Sequence, residues 1–511
     1  MKQRNKRFTA WVTVAAATAL IGGCGGGADK APAATEGGNA AAPSGPVELE
    51  AAEISWGTSL PADDFIKKAL DEQLGTKLKL TLVGDQSDYE NQMNVRAASN
   101  NLPDLLMATS KAHLQKLAQS GSLLDLTSYM EKLPEYTSFV GGEVLKKGIV
   151  DGKQYALPKA GQSISYTYWI RKDWLDNLKL QPPTTVDELF EVAKAFTTED
   201  PDKNGKNDTF GLSGTNFQTF EPIFGAYGIT NIFDTSQLFV RDGKVVSTFY
   251  QPEMKDVLAK LKQFLDAGVV DPEIVSNKGT MAIDKAFQGK VGIINTEWAQ
   301  IMKDDKVEVW KGANPKAEWL QLAPPKGPTG IQNANSLNIG ASSGLWVIPK
   351  KLESEPDKLN KVLELLNYVS TPEGNRLVQY GVQDTHYTLD GDKVAITDKG
   401  RSDASFTWLY QFTGRPETEY LKTKFSNLAT FIDFEAGLPR IQTLDGFVSS
   451  PQGYNPADAN RFIEEEMIKF IYGKAKIEDY DKFLSTLEGT FSYKNYLDTA
   501  VAQLKELGYG E

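Results

Sequence analysis

The sequence predicts an α/β protein built on a largely parallel sheet, and three observations carry this. Strand-like and helix-like segments alternate from residue 51 onward. Two of the helical segments stop at a glycine, Gly75 and Gly121. The chain of 511 residues is long enough for two or three domains. Residues 51–56 read as a buried strand. Residues 62–74 carry Phe65, Ile66, Ala69, Leu70 and Leu74 at helical spacing. Residues 78–83 read as a second strand, 89–99 as a helix, 104–108 as a third strand and 111–120 as a third helix. In such sheets ligands meet the loops at the carboxyl ends of the strands.

The N-terminus has its own anatomy. Lys2, Arg4, Lys6 and Arg7 form a basic start, and residues 8–21 are apolar but short for a membrane span. The stretch ends in Ile21-Gly22-Gly23-Cys24, which resembles a bacterial lipobox. There the cysteine is acylated and becomes the first residue of the mature chain. Cys24 is the only cysteine, so neither a disulfide within the chain nor a thiolate cluster is available. Residues 1–23 are expected to be a signal peptide, and 24–46, rich in Gly, Ala, Pro, Ser and Thr, a flexible tether. The expected location is the extracellular face of the cell membrane, held by the lipid.

Removing residues 1–23 removes four basic and no acidic side chains, taking the net charge from -12 to -16. A surface this acidic repels nucleic acid and anionic lipid. With two histidines and one cysteine, zinc and histidine-based catalysis have few residues to use. Nine tryptophans and nineteen tyrosines supply flat apolar faces.

Two ordered stretches carry a family resemblance. The first is Asn101-Leu102-Pro103-Asp104-Leu105-Leu106, followed by Leu117-Ala118-Gln119-Ser120-Gly121-Ser122-Leu123-Leu124-Asp125-Leu126. The second is Tyr155-Ala156-Leu157-Pro158, then Tyr168-Trp169-Ile170-Arg171-Lys172-Asp173-Trp174-Leu175, then the turn Gln181-Pro182-Pro183-Thr184-Thr185 and a helix over 186–196. Over residues 47–430 this series resembles the extracellular solute-binding proteins of ABC importers, which include maltose- and alginate-binding proteins. The resemblance implies a two-lobed, periplasmic-binding-protein-like α/β fold with the lobes joined by hinge strands. It implies residues 47–160 in lobe 1, 161–323 in lobe 2, 324–372 again in lobe 1, and 373–511 in lobe 2 with C-terminal helices. Crossings are then expected near 158–162, 322–327 and 371–374. The implied role is monomeric capture of a carbohydrate, an oligosaccharide first of all, and delivery to the transmembrane subunits of the permease. A peptide ligand, or a sensing lipoprotein that presents its ligand to a receptor, remains an alternative. No enzymatic role is expected, although Asp433 and Glu435, read on one strand face, would mimic a glycosidase pair.

Asp200-Pro201-Asp202-Lys203-Asn204-Gly205-Lys206-Asn207-Asp208 places oxygen ligands at alternate positions with glycine sixth, as in an EF-hand loop. Side chains of Asp200, Asp202, Asn204 and Asp208 with the Lys206 carbonyl supply five ligands for a structural calcium ion. The twelfth position is Gly211, so the bidentate glutamate is missing, and Thr209 stands where related alginate binders often carry an acid.

For the ligand, aromatic faces cover sugar C–H patches and polar groups meet the hydroxyls. Trp298, ending the strand-like Val291-Gly292-Ile293-Ile294, is the leading aromatic, placed where the family sets a stacking residue. The fold is expected to survive its removal. Trp56, Trp346, Trp408, Phe220, His386 and Tyr387 are further candidates, and Gln162, Glu297 and Asp85 are the polar ones.

Overall fold

The strand Val47–Ile54 buries Leu49, Ala51, Ala52 and Ile54 and anchors the first sheet. In this computed structural model residues 45–511 are described, except 56–58, 162–164, 234–235, 343 and 404–408. The expected signal peptide and tether up to residue 44, with Cys24, Trp56, Gln162 and Trp408, therefore lie outside the described residues. In the first sheet Thr76–Val83, Val47–Ile54 and Leu105–Ala108 run parallel in that order. Leu345–Val347 joins antiparallel, and Leu157–Pro158 closes the edge. The helix Phe65–Leu74 turns Ile66, Leu70 and Leu74 inward. Asp64 caps its start by accepting from the Lys67 N–H at 2.9 Å. Gly75 ends it at φ 62°, which glycine adopts without the clash a Cβ brings.

A second sheet runs Trp319–Leu322, Thr167–Arg171, Val291–Thr296, Phe210–Ser213. A third, smaller sheet joins Lys244–Ser247, Leu238–Arg241, Gln442–Thr443 and Leu337–Asn338. Its hairpin turns at Asp242-Gly243, both at positive φ, which matches the twist of the flanking strands. Each of the two large sheets has its own apolar core. One gathers Tyr89, Leu106, Trp346 and Leu366; the other gathers Tyr168, Phe196, Phe220 and Met467. The result is the two-lobed α/β architecture expected.

The lobe boundaries differ from those read in the sequence. Residues 324–338 stay with the second lobe, because Lys326 donates its N–H to the Thr184 carbonyl and Leu337–Asn338 pairs with Gln442–Thr443. The chain re-enters the first sheet only at Leu345–Val347. The Thr371-Pro372 pair is also no crossing. Thr371 caps the helix Pro372–Tyr380, and Pro372 fills a first-turn position where no N–H is needed. Val378, Leu409 and Phe412 beyond it pack into the first core. The last passage follows Phe412 and reaches the second lobe at Leu428 and Ile432.

Two further contacts join the halves, the first of them at the crossing between Asn338 and Leu345. The Lys147 ammonium, 5% exposed, donates to the Ala341 carbonyl at 2.7 Å. The Tyr509 hydroxyl donates to Glu143 Oε2 at 2.6 Å. Both groups line a cavity of about 690 Å³ between the first lobe and the third sheet.

Candidate ligand pocket and acidic loop

The strand Val291–Thr296 lies inside the second sheet, antiparallel to Thr167–Arg171 and parallel to Phe210–Ser213. Thr296 pairs with Thr167. Continuing that register sets Tyr166 and Ser165 beside Glu297 and Trp298. The helices Glu417–Lys424 and Ala429–Ala436 close over this end of the sheet with Leu421 and Ile432. A cavity of about 180 Å³ remains, lined by Ser165, Glu297, Trp298, Lys303, Glu417 and Glu435.

Its polar groups differ in state. Ser165 is 4% exposed and its hydroxyl has no hydrogen-bond partner among the described residues. Glu435 is 4% exposed, and Gln321 Nε2 donates to its Oε1 at 3.1 Å. Burial foremost, with Glu297 beside it, pushes the Glu435 carboxyl up to about 9, against the pull of the Trp298 N–H and the Gln321 amide. Glu417 is held through two bonds from Arg415, at 2.6 and 3.0 Å. The Arg415 guanidinium in turn lies over the rings of Tyr410 and Tyr420. Tyr166, next to Ser165 and 36% exposed, is not among the lining residues; burial, then Glu297, Glu221 and Glu435, raises its hydroxyl.

A carboxyl raised in this way makes stability depend on pH. Between about 4.5 and about 9 Glu435 is protonated in the folded chain and ionised in the unfolded one. Unfolding there releases a proton, so folding loses stability as pH rises through that window and keeps it below. Glu435→Gln removes the loss. The variant is expected to be more stable than the parent at pH 7, by up to roughly 3 kcal/mol, with the gain shrinking towards pH 4.5. Paired denaturation curves at the two pH values measure this; a gain independent of pH would show that Glu435 is ionised in the folded chain.

The sequence candidates divide. Trp298 and Glu297 line the cavity together. Trp298 is only 4% exposed, its ring 5.4 Å from that of Phe425. Trp346 is fully buried, its indole N–H on the Gln411 carbonyl at 2.8 Å, so it is a core residue with no face for a ligand. Phe220, also fully buried, stacks on Phe217 in the second core. His386 stacks on Phe65 at 4.4 Å, and its Nδ1 accepts the Val382 N–H. Tyr387 packs on Tyr380. These four therefore hold packing positions, for the plain reason that large rings end up where they remove most apolar surface from water. Asp85 is exposed and caps the helix Gln86–Ala98 by accepting from the Asp88 N–H. Asp433 and Glu435 lie in a helix, not a strand. Two residues apart, they do not face each other; Asp433 pairs with Lys422 at 2.8 Å while Glu435 is buried. Ser165, Tyr166 and Glu417 were not singled out from sequence.

The loop 200–208 folds on its own oxygens. Asp200 Oδ1 and Oδ2 accept from the N–H groups of Asn204 and Gly205, at 3.0 and 2.9 Å. Asn204 Nδ2 donates to Asp202 Oδ2 at 2.8 Å and to Asp208 Oδ1 at 3.1 Å. Lys290 reaches Asp208 Oδ2 at 2.7 Å. Burial, with Asp200 and Asp208 close by, raises the Asp202 carboxyl. Among the described residues no three His, Cys, Asp or Glu side chains form a group that could hold a metal. The Asn204 amide thus bridges the carboxylates of Asp202 and Asp208.

The chain is similar to known proteins in sequence and in fold. The family model for bacterial extracellular solute-binding protein matches residues 57–376. The polygalacturonan/rhamnogalacturonan-binding protein YtcQ of Bacillus subtilis (strain 168) is 29% identical over 388 residues, covering 75% of this chain and 74% of its own. Lipoprotein LipO of the same organism is 25% identical over 435 residues, 81% of this chain and 84% of its own. The substrate-binding protein FusA of S. pneumoniae, solved as an EF-hand mutant with fructo-nystose, shares the fold at a TM-score of 0.65 and 20% identity, covering 90% of this chain and 99% of that one.

Proposed function

The chain belongs to the family of bacterial extracellular solute-binding proteins, and from that premise we propose that it captures an oligosaccharide and hands it to the transmembrane subunits of an ABC importer. The observation that carries the carbohydrate reading is the cavity at the end of the second sheet. An indole, a buried hydroxyl without a partner among the described residues and a protonated carboxyl converge there. A sugar unit offers the matching surfaces, an apolar face and a rim of hydroxyls that both donate and accept. The name of YtcQ, a polygalacturonan/rhamnogalacturonan-binding protein, supports carbohydrate as the ligand class. Binding without turnover, measured over a panel of oligosaccharides and peptides, tests this reading.

Calcium belongs to the same proposal. Asp200, Asp202, Asn204 and Asp208 are all oxygen donors, which suits a hard cation, and the Lys206 carbonyl adds a fifth. Turning the Asn204 amide about its last bond would bring its oxygen to the cation in place of the nitrogen. A bound ion would brace the loop between the helix Val186–Thr198 and the strand Phe210–Ser213.

The anchor is Cys24. Among the described residues no helix is long and apolar enough to cross a membrane. Two acyl chains on Cys24 would supply stable attachment, as single chains do not. Cys24→Ser is expected to abolish membrane retention of processed protein, read by fractionating cells. Full retention of the processed variant would exclude this anchor.

A further inference from the structure

The cavity of about 690 Å³ between the first lobe and the third sheet has no part in the sugar reading, and its chemistry is different. We propose that it is a second ligand site, for a small organic anion with an apolar body, a monocarboxylate in the simplest case. Its volume falls in the range of roughly 300–1,000 Å³ typical of small-molecule sites. Val144, Leu337, Ile339, Phe447 and Tyr509 give it largely apolar walls.

The charge set into those walls is Lys147. It is 5% exposed, and its ammonium makes one hydrogen bond among the described residues, to the Ala341 carbonyl at 2.7 Å. Ala341 lines the same cavity. An ammonium has three hydrogens to donate, so this one has donors to spare. Lysine is almost never buried to this degree without an anionic partner. Burial alone pulls the Lys147 ammonium down to about 8, with no carboxylate acting on it. The surrounding groups do not supply that partner. Glu143, the carboxylate in the lining, pairs with Lys146 at 2.8 Å and accepts from the Tyr509 hydroxyl at 2.6 Å. Lys159, the other lining cation, is 3% exposed and donates to Gln411 Oε1, with Glu53 and Glu417 drawing on it and Arg415 opposing. Lys111, beside Lys147, donates to the Lys147 and Ile149 carbonyls, and Asp151 acts on it. Two ammonium groups and one engaged carboxylate therefore line the cavity. A ligand carboxylate would give Lys147 a charge-assisted bond, and an apolar body would cover the rest of the walls. A neutral ligand would fill the same space and leave the buried charge uncompensated.

The test is calorimetric titration of the protein at pH 7 with benzoate, phenylacetate and hexanoate, each beside its neutral amide. At least one acid is expected to bind once per chain, and more tightly than its amide by about tenfold or more. Lys147→Met keeps the stem without the charge and is expected to cancel that preference. Val144→Trp keeps the charge, fills the cavity and is expected to abolish binding of the acid. Unfolding curves on both variants check that the fold is kept. Absence of binding by all three acids, or acids that bind no more tightly than their amides, would overturn the proposal. So would a preference that persists in Lys147→Met, or an affinity unchanged by Val144→Trp, since the site would then lie elsewhere. Each of these results leaves sugar capture standing.

Discussion

Trp298→Ala is expected to cost about 3–5 kcal/mol of folding stability, the range for deleting a large buried ring. The sequence expectation was the opposite, a cleft residue whose loss the fold survives. The structure buries the ring to 4% exposure, packed with Phe425 and Ile432 and covered by two helices. One face of the same residue still lines the cavity. The variant is therefore also expected to lose roughly ten- to a hundredfold in ligand affinity through the missing apolar contact. Trp298→Phe separates the two effects. It refills much of the core volume but shortens the face presented to the ligand, so most of the stability returns while affinity stays reduced. Denaturant unfolding and calorimetry on both variants measure this. An alanine variant as stable as the parent would contradict the packing described.

If the loop 200–208 binds calcium as proposed, removing the ion is the second large expected effect. An ion bound only by the folded chain stabilises it by about 2.7 kcal/mol when free calcium is a hundredfold above its dissociation constant. A chelator is expected to lower the melting temperature and calcium to restore it. Asp200→Ala is expected to erase the response, because Asp200 both donates oxygens and closes the loop on Asn204 and Gly205. Identical melting with and without chelator, and no metal by elemental analysis, would reduce the loop to a turn held by its own hydrogen bonds.

Much of the fold was legible because its signals are local. The helix ending at Gly75 and the capped helix from Thr185 are written in apolar spacing and cap chemistry. The failures have a common cause: tertiary context decided them. Phe431, Asp433 and Glu435 alternate like a strand, yet Leu428 and Ile432 lie on one face of a turn that packs beneath Trp298. Pro324-Pro325 and Thr371-Pro372 looked like breaks between lobes, but proline marks a local backbone geometry and not a change of core. The cavity was half legible. Trp298 and Glu297 follow from the end of a strand, whereas Ser165 depends on the register of Thr167 against Thr296, and Glu417 on a helix that returns from far along the chain.

The central claim is capture without chemistry. Its most direct test is titration of the protein with oligosaccharides, with the sugar recovered afterwards. The account predicts saturable binding of one sugar per chain, a higher melting temperature in its presence, and the sugar recovered unchanged. Steady release of reducing ends, abolished in Glu435→Gln, would contradict it.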